Sequence, residues 1–185
     1  MISPTPPLAT SRRLGALAMV AVAVTLAGCA PTPAPTPTPT APFASEEEAF
    51  AAAEATYRAF TARLNEVDLA DPATFEPLFK LSSGEFEAAD RKAYSTMHAE
   101  GFSIDGDTSI VSFEGTKAVA PFHTVVARVC LDVSAVTVTD ADGLSRVDSS
   151  RPDIYALDIV FTAEEASFTI DSASVNEEAK CAPQQ

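Results

Sequence analysis

Three cysteines, two histidines and several isolated aspartates are the side chains of this 185-residue chain best suited to chemistry, and their spacing decides what each can do. No Gly-x-Ser-x-Gly elbow, Walker phosphate loop or His-Glu-x-x-His pair occurs, which removes the enzyme classes built on them. His98 and His123 fall on separate expected elements with no metal-ligand spacing between them, so each reads as a surface or helix-end residue. Asp140, Asp142 and Gly143 open like a calcium loop, but the remaining ligands and the closing glutamate are missing, which makes the segment a turn. The cysteines show no C-x-x-C spacing, so neither a redox motif nor a zinc knuckle is expected. No catalytic, cofactor-binding or metal-ligating set assembles from these residues, and no cofactor is expected.

Position gives Cys29 a role of its own. Arg12 and Arg13 precede the apolar run Leu14 to Ala27, which then meets Gly28 and Cys29. A membrane-spanning helix needs about 20 apolar residues; a shorter run with a basic flank and small residues at its end reads as a signal peptide over residues 1–28. Leu26-Ala27-Gly28-Cys29 resembles the lipobox of bacterial lipoproteins, in which the cysteine sulfur takes a diacylglycerol and the chain is cut just before it. Two acyl chains, at about 0.8 kcal/mol per buried methylene, hold a protein stably on a bilayer. The expected partner is therefore the cell membrane, reached through Cys29, with the rest of the chain outside the cytoplasm. Ser11-Arg12-Arg13-Leu14 also looks like part of a twin-arginine signal, and the same arginines serve the general export route equally well.

Residues 29–44 form an expected linker, with Pro31, Pro33, Pro35, Pro37 and Pro39 at every second position and Pro42 closing the run. Proline lacks the backbone donor and fixes φ, so the segment reads as an extended spacer of about 40 Å. With Cys29 lipidated in an oxidising compartment, Cys130 and Cys181 remain as an even pair and are expected to form a disulfide, worth about 4 kcal/mol for a loop of about 50 residues. Removal of residues 1–28 takes away Arg12 and Arg13 of the 12 basic residues and none of the 26 acidic ones, so the net charge moves from −14 to −16. That charge repels phosphate backbones and makes nucleic acid an unsuitable partner.

Residues 45–185 read as one α+β domain. Ser45 with Glu48 is a capping box, and Phe50, Ala53, Tyr57, Phe60, Leu64 and Val67 recur on one helix face. Asp71-Pro72 opens a short second helix carrying Phe75, Leu78 and Phe79. Ser82 with Glu85 reads as a second capping box, opening a third helix with Phe86, Ala89, Ala93 and Met97 on its face and Gly101 at its end. Val, Ile, Thr and Phe then dominate Thr108–Phe113, Thr124–Thr139, Ile154–Thr162 and Ser167–Val175, which read as about four strands. Val136 and Val138 break the parity of Val125 to Val133, so a bulge or bend is expected near Ser134-Ala135. Asp140-Ala141-Asp142-Gly143 and Glu164-Glu165-Ala166 read as hairpin connections. The pattern is three N-terminal helices packed on a bent antiparallel sheet, a cystatin-like cone.

The order of elements, the bent strand and the phrases Val129-Cys130-Leu131-Asp132-Val133-Ser134 and Asp140-Ala141-Asp142-Gly143 resemble actinobacterial lipoproteins with a cone-shaped fold like nuclear transport factor 2, in the ketosteroid isomerase and polyketide cyclase superfamily. The resemblance covers most of 45–181. That fold hosts isomerases, cyclases, dehydratases and plain binding modules, and fold alone does not choose among them. In ketosteroid isomerases of this fold a first-helix tyrosine donates to the developing oxyanion, which singles out Tyr57 as a pocket residue. Catalysis would further need a carboxylate base and a second acid, for which Asp90, Asp132 and Asp158 stand only by elimination. The expected function is a non-catalytic module binding a small apolar molecule or an envelope protein, the alternative an isomerase-like or cyclase-like enzyme. Sheets of this fold often pair through their open face, so the resemblance leaves room for a homodimer, which exposed sheet residues such as Thr169 and Arg128 neither support nor exclude.

Overall fold

Helix α1 (Glu46–Leu64) starts where the capping chemistry puts it. Ser45 Oγ accepts from the Glu48 N–H at 3.1 Å, and the Glu48 carboxylate accepts from the Ala44 N–H at 2.8 Å. Three glutamates in the first turn suit the positive end of the helix dipole. Ala53, Tyr57 and Phe60 are buried along one face, as the spacing predicts, with Ala49 buried beside them and Phe50 and Leu64 partly buried, while Val67 lies beyond the helix end. The computed structural model describes residues 41–181; Cys29, the leader 1–28 and the linker through Thr40 lie outside the described residues.

Asp71 caps a single 3₁₀ turn, Pro72–Thr74, by accepting from the Ala73 N–H at 3.0 Å. The turn feeds α2 (Phe75–Phe79), which buries Phe75, Leu78 and Phe79. Helix α3 (Gly84–Ala99) departs from the expected capping box. Its N-cap is Ser83, with no side-chain cap, while Ser82 is buried and donates to the Phe79 carbonyl at 3.1 Å. Ser83 Oγ instead accepts from Thr169 at 2.8 Å, because the sheet holds this corner through Ser83 N–H to the Ile170 carbonyl. The inward face of α3 is also turned from the one expected. Ala89 and Ala93 are exposed, whereas Phe86, Asp90, Tyr94 and Met97 point inward. Tyr94 packs on Phe75 at 5.6 Å and Phe79 at 6.0 Å, and burying one aromatic outweighs burying two alanine methyls. Gly101, at φ 72°, ends the helix in a Schellman motif, with Phe102 N–H to the Met97 carbonyl and Gly101 N–H to the His98 carbonyl.

Strands β1 (Ser103–Asp105), β2 (Ser109–Ala118), β3 (Thr124–Asp132), β4 (Thr137–Thr139), β5 (Ile154–Glu164) and β6 (Ser167–Val175) follow. Four of them form an antiparallel sheet in the order β2-β3-β5-β6, so the α+β class and the order of helices before sheet hold. The single strand expected over Thr124–Thr139 is two strands in two sheets. The chain leaves the large sheet at Asp132, turns through Val136 N–H to the Val133 carbonyl, and re-enters extended structure as β4, which pairs with β1. The Arg151 guanidinium locks that turn by donating to the carbonyls of Val133 and Val136, both at 2.9 Å. The parity change at Val136 marks this exchange of partners. Asp140 then accepts from the N–H groups of Asp142 and Leu144, which makes 140–143 a turn, and Glu165-Ala166 is a two-residue hairpin loop between paired Glu164 and Ser167.

Alternation puts Val125, Ala127, Val129 and Leu131 of β3 and Leu157, Ile159, Phe161 and Ala163 of β5 under the helices. The opposite face carries Thr124, Val126 and Arg128, paired with Thr162, Val160 and Asp158. Cys130 and Cys181 stand at bonding distance, S–S 1.98 Å, bringing the C-terminal tail to that face. No helix among the described residues is long and apolar enough to cross a membrane.

Candidate functional site

Tyr57 projects from the middle of α1 into the space between helices and sheet, 4% exposed. Its ring meets Phe60 at 6.1 Å, Phe161 edge-on at 6.4 Å and Phe113 at 6.5 Å. Phe161 continues to Phe168, and Phe168 stacks on Phe43 at 4.7 Å. The centre of the domain is thus packed with aromatic rings. Burial pushes the Tyr57 hydroxyl well above the ordinary tyrosine range, and no neighbouring charge contributes.

The carboxylates considered as partners for Tyr57 are in three other places. Asp90 faces inward from α3, half-buried beside Tyr94, and burial raises its carboxyl from 3.8 to about 6. It acts on Tyr94, whose hydroxyl is raised by burial and then by the Asp90 charge. Asp132 ends β3, and hydrogen bonds from the Ser134 hydroxyl and then from the Ser134 backbone N–H, at 2.8 Å, hold its carboxyl below the ordinary range. Asp158 lies on the far face of the sheet. Burial works to raise its carboxyl, but hydrogen bonds from Arg128 at 3.0 Å and Asn176 at 2.7 Å, with the Arg128 charge, outweigh that and lower it. Asp132 and Asp158 thus stand at a strand end and on the far face of the sheet, while Asp90 shares the inward side of α3 with Tyr94.

Open clefts lie around this packed centre, one of about 380 Å³ beside α1, lined by Ala52, Ala55, Thr56, Ala59 and Phe168 among others. A cleft of about 340 Å³ lies on the sheet face away from the helices, lined by Lys117, Val119, Pro121, His123, Thr124 and Val126. That volume is within the range of small-molecule sites. Its floor follows from strand alternation: Val125 points into the core, so Thr124 and Val126 point out, and Lys117 stands opposite Val126 on β2. Its wall is the β2–β3 loop. There Phe122 adopts φ 66°, donates its N–H to the Val119 carbonyl at 2.8 Å and tucks its ring against the core. A non-glycine residue held at positive φ is costly and needs firm support, here the partly buried ring packed on the core. The loop leaves Val119 63% exposed beside Pro121.

In the sequence this loop belongs to no expected element, and His123 reads there as a surface residue. The signal that marks it is Lys117 followed by Ala118-Val119-Ala120-Pro121-Phe122, an apolar run where a hairpin connection would ordinarily be polar. His98, on α3, places Nδ1 2.6 Å from the Leu69 carbonyl, a structural hydrogen bond remote from the cleft. Cys29 lies outside the described residues.

By sequence the chain matches no known protein family and no curated protein. Among solved structures it aligns with the intermembrane-space region of the chloroplast protein ARC6 at 12% identity and TM-score 0.48, over 68% of this chain and 95% of that one. Aln2 from a Streptomyces species aligns at 13% identity and TM-score 0.44, over 71% of this chain and 91% of Aln2. A candidate aromatic ring hydroxylase from Novosphingobium aromaticivorans gives 12% identity and TM-score 0.44, over 71% and 96%. Alignments at this level assign neither a family nor an activity.

Proposed function

We propose that this chain is a lipoprotein anchored to the cell membrane through Cys29, with residues 29–44 as a spacer and 45–185 as a non-catalytic binding domain outside the cytoplasm. The anchor rests on Leu26-Ala27-Gly28-Cys29 after a basic and then apolar leader. The binding role rests on one observation: the interior around Tyr57 is filled by Phe60, Phe113 and Phe161, while open volume lies in surface clefts, one of them on the far face of the sheet. A reaction inside the domain needs room for substrate between an acid and a base, and the rings around Tyr57 fill that room.

Native mass spectrometry of the full chain, purified gently from membranes, tests both parts at once. The expected spectrum is a chain that begins at Cys29 and carries a diacylglyceryl group, with a non-covalent small molecule released unchanged on activation. A chain of 185 unmodified residues would sink the anchor. A released molecule that the protein converts to a second species on standing would favour the isomerase-like or cyclase-like reading.

A further inference from the structure

The cleft on the outer face carries a charge opposite to that of the molecule as a whole. The chain has 26 acidic residues against 12 lysines and arginines, yet the six lining residues include Lys117 and His123 and no carboxylate. Arg58, Arg63, Arg91, Arg128 and Arg146 are each tied to a carboxylate; Lys117, like Lys80, Lys92, Arg151 and Lys180, forms no ion pair among the described residues, and of these it is the one that lines this cleft. Val119, Pro121 and Val126 supply apolar wall and floor beside that free ammonium. An apolar groove ending in an unpaired cation fits a molecule with an apolar chain and one anionic end: the chain displaces water from valine and proline, and the anion takes charge-assisted hydrogen bonds from the lysine. The loop that shapes the groove is the one held at positive φ by Phe122, so the wall is preformed.

We infer that the cleft between the β2–β3 loop and the outer face of β3 binds a monocarboxylate with an apolar tail, its carboxylate at Lys117 and its tail along Val119, Pro121 and Val126. This rests on the binding-domain reading above and names its ligand class. The surrounding negative charge makes the site selective: a dianion or polyanion is repelled by the molecule as a whole, whereas a single carboxylate meets that repulsion once and offsets it at the lysine.

The test is a titration of the full chain with sodium hexanoate, and separately with hexan-1-ol, followed by the amide resonances of residues 117–126. Hexanoate should give saturable shifts confined to that segment. Lys117→Met should weaken hexanoate binding about tenfold and leave hexanol binding within about twofold. Val119→Asp should weaken both. The inference is overturned if hexanoate gives no saturable shift there, if hexanol binds as tightly as hexanoate, or if Lys117→Met leaves hexanoate binding unchanged. Failure here is separable from failure of the broader reading, because the membrane-purified chain would still show its lipid and whatever molecule travels with it.

Discussion

Asp90 is a carboxylate placed among aromatic neighbours, and its environment disfavours its charge. Burial raises its carboxyl from 3.8 to about 6, so the folded state holds the proton more tightly than the unfolded one. The stability this adds is complete below about pH 4 and is lost as pH rises through about 6, where the folded protein must ionise a half-buried group. Discounted for its solvent-facing side, the effect is about 1 kcal/mol. Asp90→Asn should therefore match wild type in urea stability near pH 4 and exceed it by about 1 kcal/mol at pH 7. A difference that stays flat between those values would mean the carboxylate is fully solvated. Helical spacing gave little warning of Asp90: Ala89 and Ala93 fit a three-and-four repeat with Phe86 and Met97, and only the rings of Phe75 and Phe79, from another helix, turn Tyr94 and Asp90 inward. Tyr57 was legible as inward-facing for the opposite reason, since its own helix carries a continuous apolar face. Its partners Phe113 and Phe161 arrive from strands 56 and 104 residues away along the sequence, beyond the reach of any local pattern.

Among the elements, α1, α2, β5 and β6 could be read because each carries its own periodicity, and α3, β2 and β3 could be placed, though with the face of α3 turned and the far ends of β2 and β3 missed. The β1–β4 ribbon could not. Each of its strands is three residues long, too short to show alternation, and the parity slip at Val136 announces an irregularity without saying that a new sheet begins. The residue that makes the ribbon possible is Gly106. It sits at φ 86°, and a Cβ there would collide with the Ala135 carbonyl, an approach that a bare backbone alone permits. Gly106→Ala should separate β1 from β4 while sparing the four-stranded sheet. The expected result is faster amide exchange at Ile104 and Val138, unchanged exchange at Val125 and Ile159, and a loss of about 1–3 kcal/mol. Equal protection of Ile104 in variant and wild type would show that the two backbones can part without cost.

At the scale of the whole molecule, the far face of the sheet has to stay in place without helices to cover it, and the tail after β6 does part of that task. Asn176 donates its backbone N–H to the Ala156 carbonyl and its side-chain amide to Asp158, both on β5, and Cys181 then closes on Cys130 of β3. The bridge spans a sequence separation of 51 residues that includes β4, β5 and β6. Cross-linking so long a segment restricts the unfolded chain by about 4 kcal/mol in the loop-entropy model. With a urea slope of about 1–3 kcal/mol per molar, reduction should lower the unfolding midpoint by roughly 1.3–4 M, and Cys181→Ser should reproduce the shift without reductant. The helix-covered core, from Ala53 to Phe161, does not touch the bridge, so far-ultraviolet circular dichroism of the reduced folded state should match that of the oxidised one. A midpoint that moves by less than about 0.5 M would mean that the tail, not the covalent bond, supplies the restraint. The dependence has a consequence for address: a fold that draws this much of its stability from a disulfide is suited to an oxidising exterior, the compartment to which the leader and Cys29 are proposed to send it.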